Sequence, residues 1–206
     1  MEVGTGFRSG AEIAAERYDF DEYQQLASRT AHGIADPEER IENTLLGLIS
    51  ELGEICEPIK HARFHGHALD RENLREEIGD SLWYLAARCS ESGLALSTVA
   101  GMRSMLTFQR VRGGPKAHPP AWNAWKLRTQ LVFALCGRVA GLVSLGTTPA
   151  LPIEESRRYL TALAQLSSSF DIELADAAST NIEKLRKRYP DGFSRERSQN
   201  RTEGRL

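Results

Sequence analysis

The stretch ELGEICEPIKHARFHGHALDRENLREEIGD, residues 51–80, opens with Glu51 and Glu54 and closes with Glu77 and Asp80. Residues three apart on a helix are neighbours on one face, and like charges at that spacing repel. One such pair is an ordinary solvated face. Two pairs joined by a turn are different: HGHALD, residues 65–70, folds the chain back. The helices then lie side by side and their carboxylates converge. Such a cluster is costly unless a cation stands among the acids. Hard divalent cations take oxygen ligands, and Mg²⁺ in particular is held by carboxylates, waters and substrate phosphates. No E-x-x-H occurs in the chain, which argues against a ferritin-like di-iron site. The acids by themselves therefore suggest magnesium and a phosphate ester.

Outward from this stretch, every periodic segment reads as helix. Residues 20–31 space Phe20, Tyr23, Ala27 and Ala31 at helical intervals, with Asp19 or Asp21 to cap. Asp36 precedes Pro37 and an acidic first turn, the expected start of a long helix with Leu45, Leu48, Leu52 and Ile55 on one face. Pro58 should kink that helix or end it nearby. Asp70 caps the next, striped by Leu74, Ile78, Leu82 and Leu85. A fourth helix is expected over residues 97–110. Residues 112–123 concentrate glycine and proline and read as a linker. Three more helical segments follow, at 125–145, 153–169 and 172–189. The polar end, residues 194–206, reads as disordered. The fold class is all-α, with a four-helix-bundle architecture.

Composition excludes several classes. A net charge of −2 over 206 residues gives no global pull toward nucleic acid or an acidic membrane. The three cysteines, Cys56, Cys89 and Cys136, form no C-x-x-C and read as free thiols of a reducing compartment. Residues 127–146 are the most apolar run, but Arg138 interrupts them, so no membrane span is expected. A cytoplasmic location is the expectation. His61, His65 and His67 lack the partners that would complete a zinc site and are assigned to the loop. Trp83, Trp122 and Trp125 are read as packing anchors.

The sequence E-L-G-E, then E-E-I-G-D-S-L-W-Y-L-A, then N-I-E-K-L-R-K-R-Y-P-D-G-F resembles the MazG-type all-α nucleoside triphosphate pyrophosphohydrolases over residues 20–96 and 181–193. The resemblance implies Glu51, Glu54, Glu77 and Asp80 as Mg²⁺ ligands, with Mn²⁺ as a substitute. It implies Asn181, Lys184, Arg188 and Tyr189 as nucleotide contacts. Lys60 is a further substrate-binding candidate, and Tyr23 and Gln24 are candidates for the base. The implied reaction cleaves a nucleoside triphosphate between its α- and β-phosphates, leaving a monophosphate and pyrophosphate. Many members carry a glutamate where Ser50 stands here, so Glu51 is taken as the group that activates water. Glu57, on the same face, is read as solvated. The rival functions are a phosphoribosyl-ATP pyrophosphohydrolase, which shares the fold, and a non-catalytic nucleotide-sensing helical protein.

The chain also reads as an internal repeat. Aligning Gly53 with Gly137 matches Leu48, Ile49 and Ile55 to Val132, Phe133 and Val139. Aligning Glu77 with Glu155 matches Leu82, Leu85, Leu96 and Ala100 to Leu160, Leu163, Leu174 and Ala178. The two offsets, 84 and 78, imply a shorter interhelical loop in the second copy. There Leu135, Arg138 and Arg158 replace Glu51, Glu54 and Asp80, so the second copy should hold no magnesium. The expected organisation is a metal-bearing repeat at 18–111, a linker at 112–123 and a degenerate repeat at 124–193 that carries the nucleotide contacts. Together they form an intrachain pseudo-dimer with one composite site, which Arg138 or Arg158 is expected to approach. The family resemblance adds the expectation of a homodimer of such pseudo-dimers.

Overall fold

The computed structural model of the chain describes residues 17–31, 33–105, 121–194, 196 and 198. Its regular structure is helical throughout, and no strand occurs among these residues. The helices are α1 (Phe20–Ser28), α2 (Pro37–Phe64), α3 (Arg71–Glu91), α4 (Leu96–Ala100), α5 (Ala121–Val143), α6 (Ile153–Ser169) and α7 (Leu174–Arg188). The expected linker therefore gives way to helix at Ala121. Its residues 112–120 and most of the 194–206 tail lie outside the described residues.

The first three helices start where their acids dictate. The Asp19 side chain accepts from the backbone N–H groups of Asp21 and Glu22, while the Glu22 carboxylate accepts from the Asp19 N–H. Asp36 accepts from Glu38 and Glu39, with Pro37 at the first position, and Asp70 accepts from Asn73.

Two boundaries differ from the sequence expectation. α2 does not end near Pro58 but runs on to Phe64. A proline removes one hydrogen bond to the preceding turn. The turn beyond it is held from outside, by buried Ile59 and by Arg63, which donates to the Trp125 carbonyl and the Thr129 hydroxyl. α4, in contrast, stops at Gly101, whose φ of 74° places it in the left-handed region. The chain then turns back onto α1. The Arg103 carbonyl accepts from the Phe20 N–H at 2.9 Å, and its guanidinium pairs with Asp19 and Asp21. This docking interrupts the fourth helix expected over residues 97–110, of which residues 106–110 lie outside the described residues.

α2 packs along α3, and α5 along α6; α2 also crosses α5. α3 packs on α7, α6 packs on α4, and α1 covers α3, α4 and α7. One continuous apolar core joins them, from Phe20 and Tyr23 through Leu82 and Leu85 to Leu160, Leu163 and Ile182. Hydrogen bonds recur at an offset of 78. In the turn after α3, Ser92 and Leu94 donate to the Cys89 carbonyl and Gly93 donates to Ser90. After α6, Phe170 and Ile172 donate to Ser167 and Asp171 donates to Ser168. Gly93 (φ 63°) and Asp171 (φ 57°) are the left-handed residues of the two turns. Ser81 and Tyr159, also 78 apart, bond to each other through their hydroxyls. The difference in offset does not come from a shorter loop. Residues 65–70 join α2 to α3, whereas the longer segment 144–152 joins α5 to α6. The helices are shorter instead: 23 residues in α5 against 28 in α2, and 17 in α6 against 21 in α3.

α3 and α7 approach each other closely at Gly79. A Cβ there would lie 2.6 Å from the Ala177 carbonyl oxygen and 2.9 Å from the Asn181 Cβ. Both belong to α7, so neither can yield without moving the helix. Gly79→Ala is expected to destabilise the fold by about 1–3 kcal/mol, as overpacking typically does, measured by urea denaturation.

Candidate active site

Glu51 faces inward from α2, and Glu77 and Asp80 face it from α3. One carboxylate oxygen from each of these three lies within 4.8 Å of the others. Glu51 and Glu77 are buried and Asp80 is half-buried. Glu54 is exposed, with its Oε1 accepting from the Ser50 hydroxyl at 3.3 Å. It is close enough for its charge to act on both Glu51 and Glu77. Three acids thus form the cluster and Glu54 stands at its rim.

Burial is the largest influence on the pair of glutamates. It pushes Glu51 up to about 9, helped by the charges of Asp80, Glu54 and Glu77. Burial also raises Glu77 to about 7, with Asp80 and Glu54 adding and the Lys184 ammonium opposing. Glu51 therefore keeps the proton and donates it to Glu77 when no cation is bound. Glu51 Oε2 is buried without a hydrogen-bond partner. An all-oxygen donor set with one orphaned oxygen fits a hard divalent cation.

α7 completes the cluster from behind. Asn181 Nδ2 donates to Asp80 Oδ1 at 2.6 Å, and Lys184 pairs with Asp80 and, at 3.7 Å, with Glu76. Tyr23, fully buried on α1, donates to Asn181 Oδ1 at 3.0 Å and so sets which end of the amide faces Asp80. Tyr159 of α6 lies buried beneath; its proton is held tightly by burial and by the nearby Glu51 charge.

A cavity of about 250 Å³ opens in front of the acids. Glu51, Asp80 and Asn181 line its floor; Arg188, Tyr189, Trp83, Tyr84 and Phe193 are among its walls. The Trp83 indole N–H is spent on Ala27 O and Thr30 Oγ1, and its ring meets Tyr84 edge to face at 4.9 Å. Tyr189 and Phe193 stack at 5.4 Å. Arg188 is half-buried and makes no ion pair among the described residues.

Other expected contacts fall elsewhere. Tyr23 is behind the acids, not in a base pocket. Gln24 is consumed by the turn after α3, donating to Ser90 and Leu94 and accepting from the Leu96 N–H. Lys60 is exposed on α2 and does not line the cavity. Trp125 packs on Phe170 and Arg128, and the Trp122 side chain lies outside the described residues. Arg138 and Arg158 line a separate cavity on α5 and α6. Trp83, expected as a packing anchor, and Tyr84, given no role by the sequence, are wall residues. Their position three and four residues after Asp80, on the same helix face, was the available signal. The His61 ring, in the last turn of α2, lies 5.3 Å from that of His65 and 5.1 Å from that of His67.

Residues 39–104 match the family model for the MazG nucleotide pyrophosphohydrolase domain. The chain belongs to that family. The match contains the whole acidic cluster and ends before α5, so Asn181, Lys184, Arg188 and Tyr189 lie outside it. The chain is also similar to the Gene 37 protein of Mycobacterium phage L5, at 33% identity over 87 residues, covering 38% of this chain and 76% of that one. No solved structure matches. The family accounts for the metal-ready acids and a nucleotide substrate. No described helix is long and apolar enough to cross a membrane.

The raised glutamates set a pH dependence. The folded, metal-free protein binds protons that the unfolded chain releases near the ordinary glutamate value of 4.5. Stability should therefore fall as pH rises from about 5 to 9. With EDTA present, Tm should decline across that window. Glu51→Gln should flatten the decline, and a saturating divalent cation should reverse it, because it binds only the folded cluster.

Proposed function

We propose that this protein is a Mg²⁺-dependent nucleoside triphosphate pyrophosphohydrolase that releases a nucleoside monophosphate and pyrophosphate. The observation that carries the reading is the convergence of Glu51, Glu77 and Asp80 on one another, with Glu51 and Asp80 lining a cavity whose walls are aromatic and basic. Magnesium held by these acids, with Glu54 at the rim, would neutralise phosphate oxygens as charge develops on them. The rest falls to the chain's own residues. Arg188 faces the cavity with its donors free for phosphate oxygens. Trp83, Tyr84, Tyr189 and Phe193 offer faces and edges to a base. Asn181 and Lys184 fix Asp80, and Tyr23 fixes Asn181. Glu51, with its unpartnered oxygen, is the group to take a proton from the attacking water once a bound cation has displaced its own proton. Lys60 and Gln24 have no part in this arrangement, and Tyr23 acts by positioning. The role in the cell is control of the nucleotide pool.

We read the chain as two fused copies, residues 18–111 and 124–193, sharing this one site. The recurrence of the turn hydrogen bonds at an offset of 78, and the meeting of Ser81 with Tyr159, support that reading. So does the exchange in which α3 packs on α7 while α6 packs on α4. Two equivalent metal sites per chain in a titration would sink it.

Incubation with a panel of NTPs and dNTPs plus Mg²⁺, with anion-exchange separation of products, tests the activity. Monophosphate with pyrophosphate is expected; diphosphate with phosphate would overturn the chemistry. Turnover of phosphoribosyl-ATP alone would favour that substrate, and Mg²⁺-dependent binding without turnover would favour a sensor. Glu51→Gln and Asp80→Asn should each lower kcat by about 100-fold or more. Phe193→Ala, at the cavity rim, should raise KM by roughly tenfold with little change in kcat, the loss of one stacking partner.

A further inference from the structure

The position in α5 and α6 that corresponds to the acidic cluster is not filled in. It forms a second cavity, of about 240 Å³, lined by Arg138, Arg157, Arg158, Glu154, Thr161 and Gln165 among others. Under the offsets of 84 and 78, Arg138 stands where Glu54 does and Arg158 where Asp80 does. Thr161 and Ala162 stand where Trp83 and Tyr84 wall the first cavity. Glu54 and Asp80 have been exchanged for guanidinium groups and Glu51 for Leu135, Glu155 keeps the acid of Glu77, and the two aromatic rings have become small side chains. We propose that this cavity binds a phosphate-bearing anion directly, without a metal: pyrophosphate, or the phosphate tail of a nucleotide.

The three arginines differ in what they have left to offer. Arg157 is anchored, with Nε on the Val99 carbonyl at 2.9 Å and Nη2 on Thr98 O at 3.2 Å. Its remaining contact is Glu154 at 3.2 Å. Arg158 meets Glu154 at 3.3 Å and Glu155 at 2.8 Å. Arg138 is half-buried yet has no hydrogen bond or ion pair among the described residues. A guanidinium drawn partly out of water with no carboxylate paired to it is set to receive an oxyanion, and its planar fork matches phosphate. The Glu154 side chain is 61% exposed, so its pairs with Arg157 and Arg158 are weak and give way readily to a ligand of higher charge. Thr161, on the same wall, donates its hydroxyl to the Arg157 carbonyl at 2.8 Å, so the arginines are left to hold the anion. Among the described residues no aromatic ring lines the cavity, so affinity should follow phosphate charge and not base identity. In the first cavity carboxylates need a cation to hold phosphate; here the protein supplies the positive charge itself.

Calorimetry in EDTA with the full chain tests the site. Pyrophosphate is one probe and a non-hydrolysable α,β-methylene deoxynucleoside triphosphate is the other. Wild-type protein should bind pyrophosphate without Mg²⁺. Arg138→Ala should weaken this by about tenfold, the loss of one charge-assisted contact, while Arg188→Ala should leave it unchanged. Arg158→Gln repeats the test if circular dichroism shows that Arg138→Ala is not folded. Displacement of the nucleotide analogue by pyrophosphate, sensitive to Arg138, would assign the site to nucleotide phosphates generally. Sensitivity for pyrophosphate alone would assign it to that anion. The proposal is overturned by absence of metal-free binding, by binding indifferent to both Arg138→Ala and Arg158→Gln, or by binding that only Arg188→Ala removes. None of these results depends on turnover at the acidic cluster, which the product panel reports separately.

Discussion

The close approach of α3 to α7 at Gly79 is the constraint on which the site depends. With no Cβ in the way, the α7 backbone comes near enough for Asn181 and Lys184 to hold Asp80. Those two contacts fix one acid of the cluster, and through Tyr23 they tie it to α1. The same approach brings Arg188 and Tyr189 to the cavity walls. Helices distant in the chain therefore build a site that neither could build alone.

The cluster is arranged against its own stability. Three carboxylates share a half-dry pocket, and burial together with mutual repulsion drives Glu51 and Glu77 to keep protons. Lys184 relieves only one side. This is the state expected of a site that gains its compensating charge from a bound cation. A separate cavity between α5 and α6 is lined by arginines instead, so the two cavities carry opposite charge.

Much of this was legible in the sequence because it is local. The caps at Asp19, Asp36 and Asp70 follow from side chains that satisfy the first N–H groups of a helix. The stripe of Leu74, Ile78, Leu82 and Leu85 is buried as its spacing demands. The family resemblance rests on the same short motifs, and the matched residues 39–104 contain the acidic pairs. What failed was also local reasoning, applied where a tertiary contact intervenes. Pro58 does not end α2 because α5 holds the turn beyond it. The fourth helix stops at Gly101 because Arg103 is captured by the first turn of α1.

The sequence by itself determined the helical class, the helix starts and the acids that share a helix face, since each depends on residues within a turn or two of one another. Only the tertiary structure decided which acids converge, leaving Glu54 at the rim, and that Tyr23 and Gln24 serve as supports. It alone decided that Trp83 and Tyr84 face a cavity and that Arg138 and Arg158 face a different one. Those outcomes depend on how far apart helix axes lie and which faces meet. Such distances are set by packing between residues far apart in the chain, with Gly79 against α7 the clearest instance, and periodicity along a single helix carries no record of them.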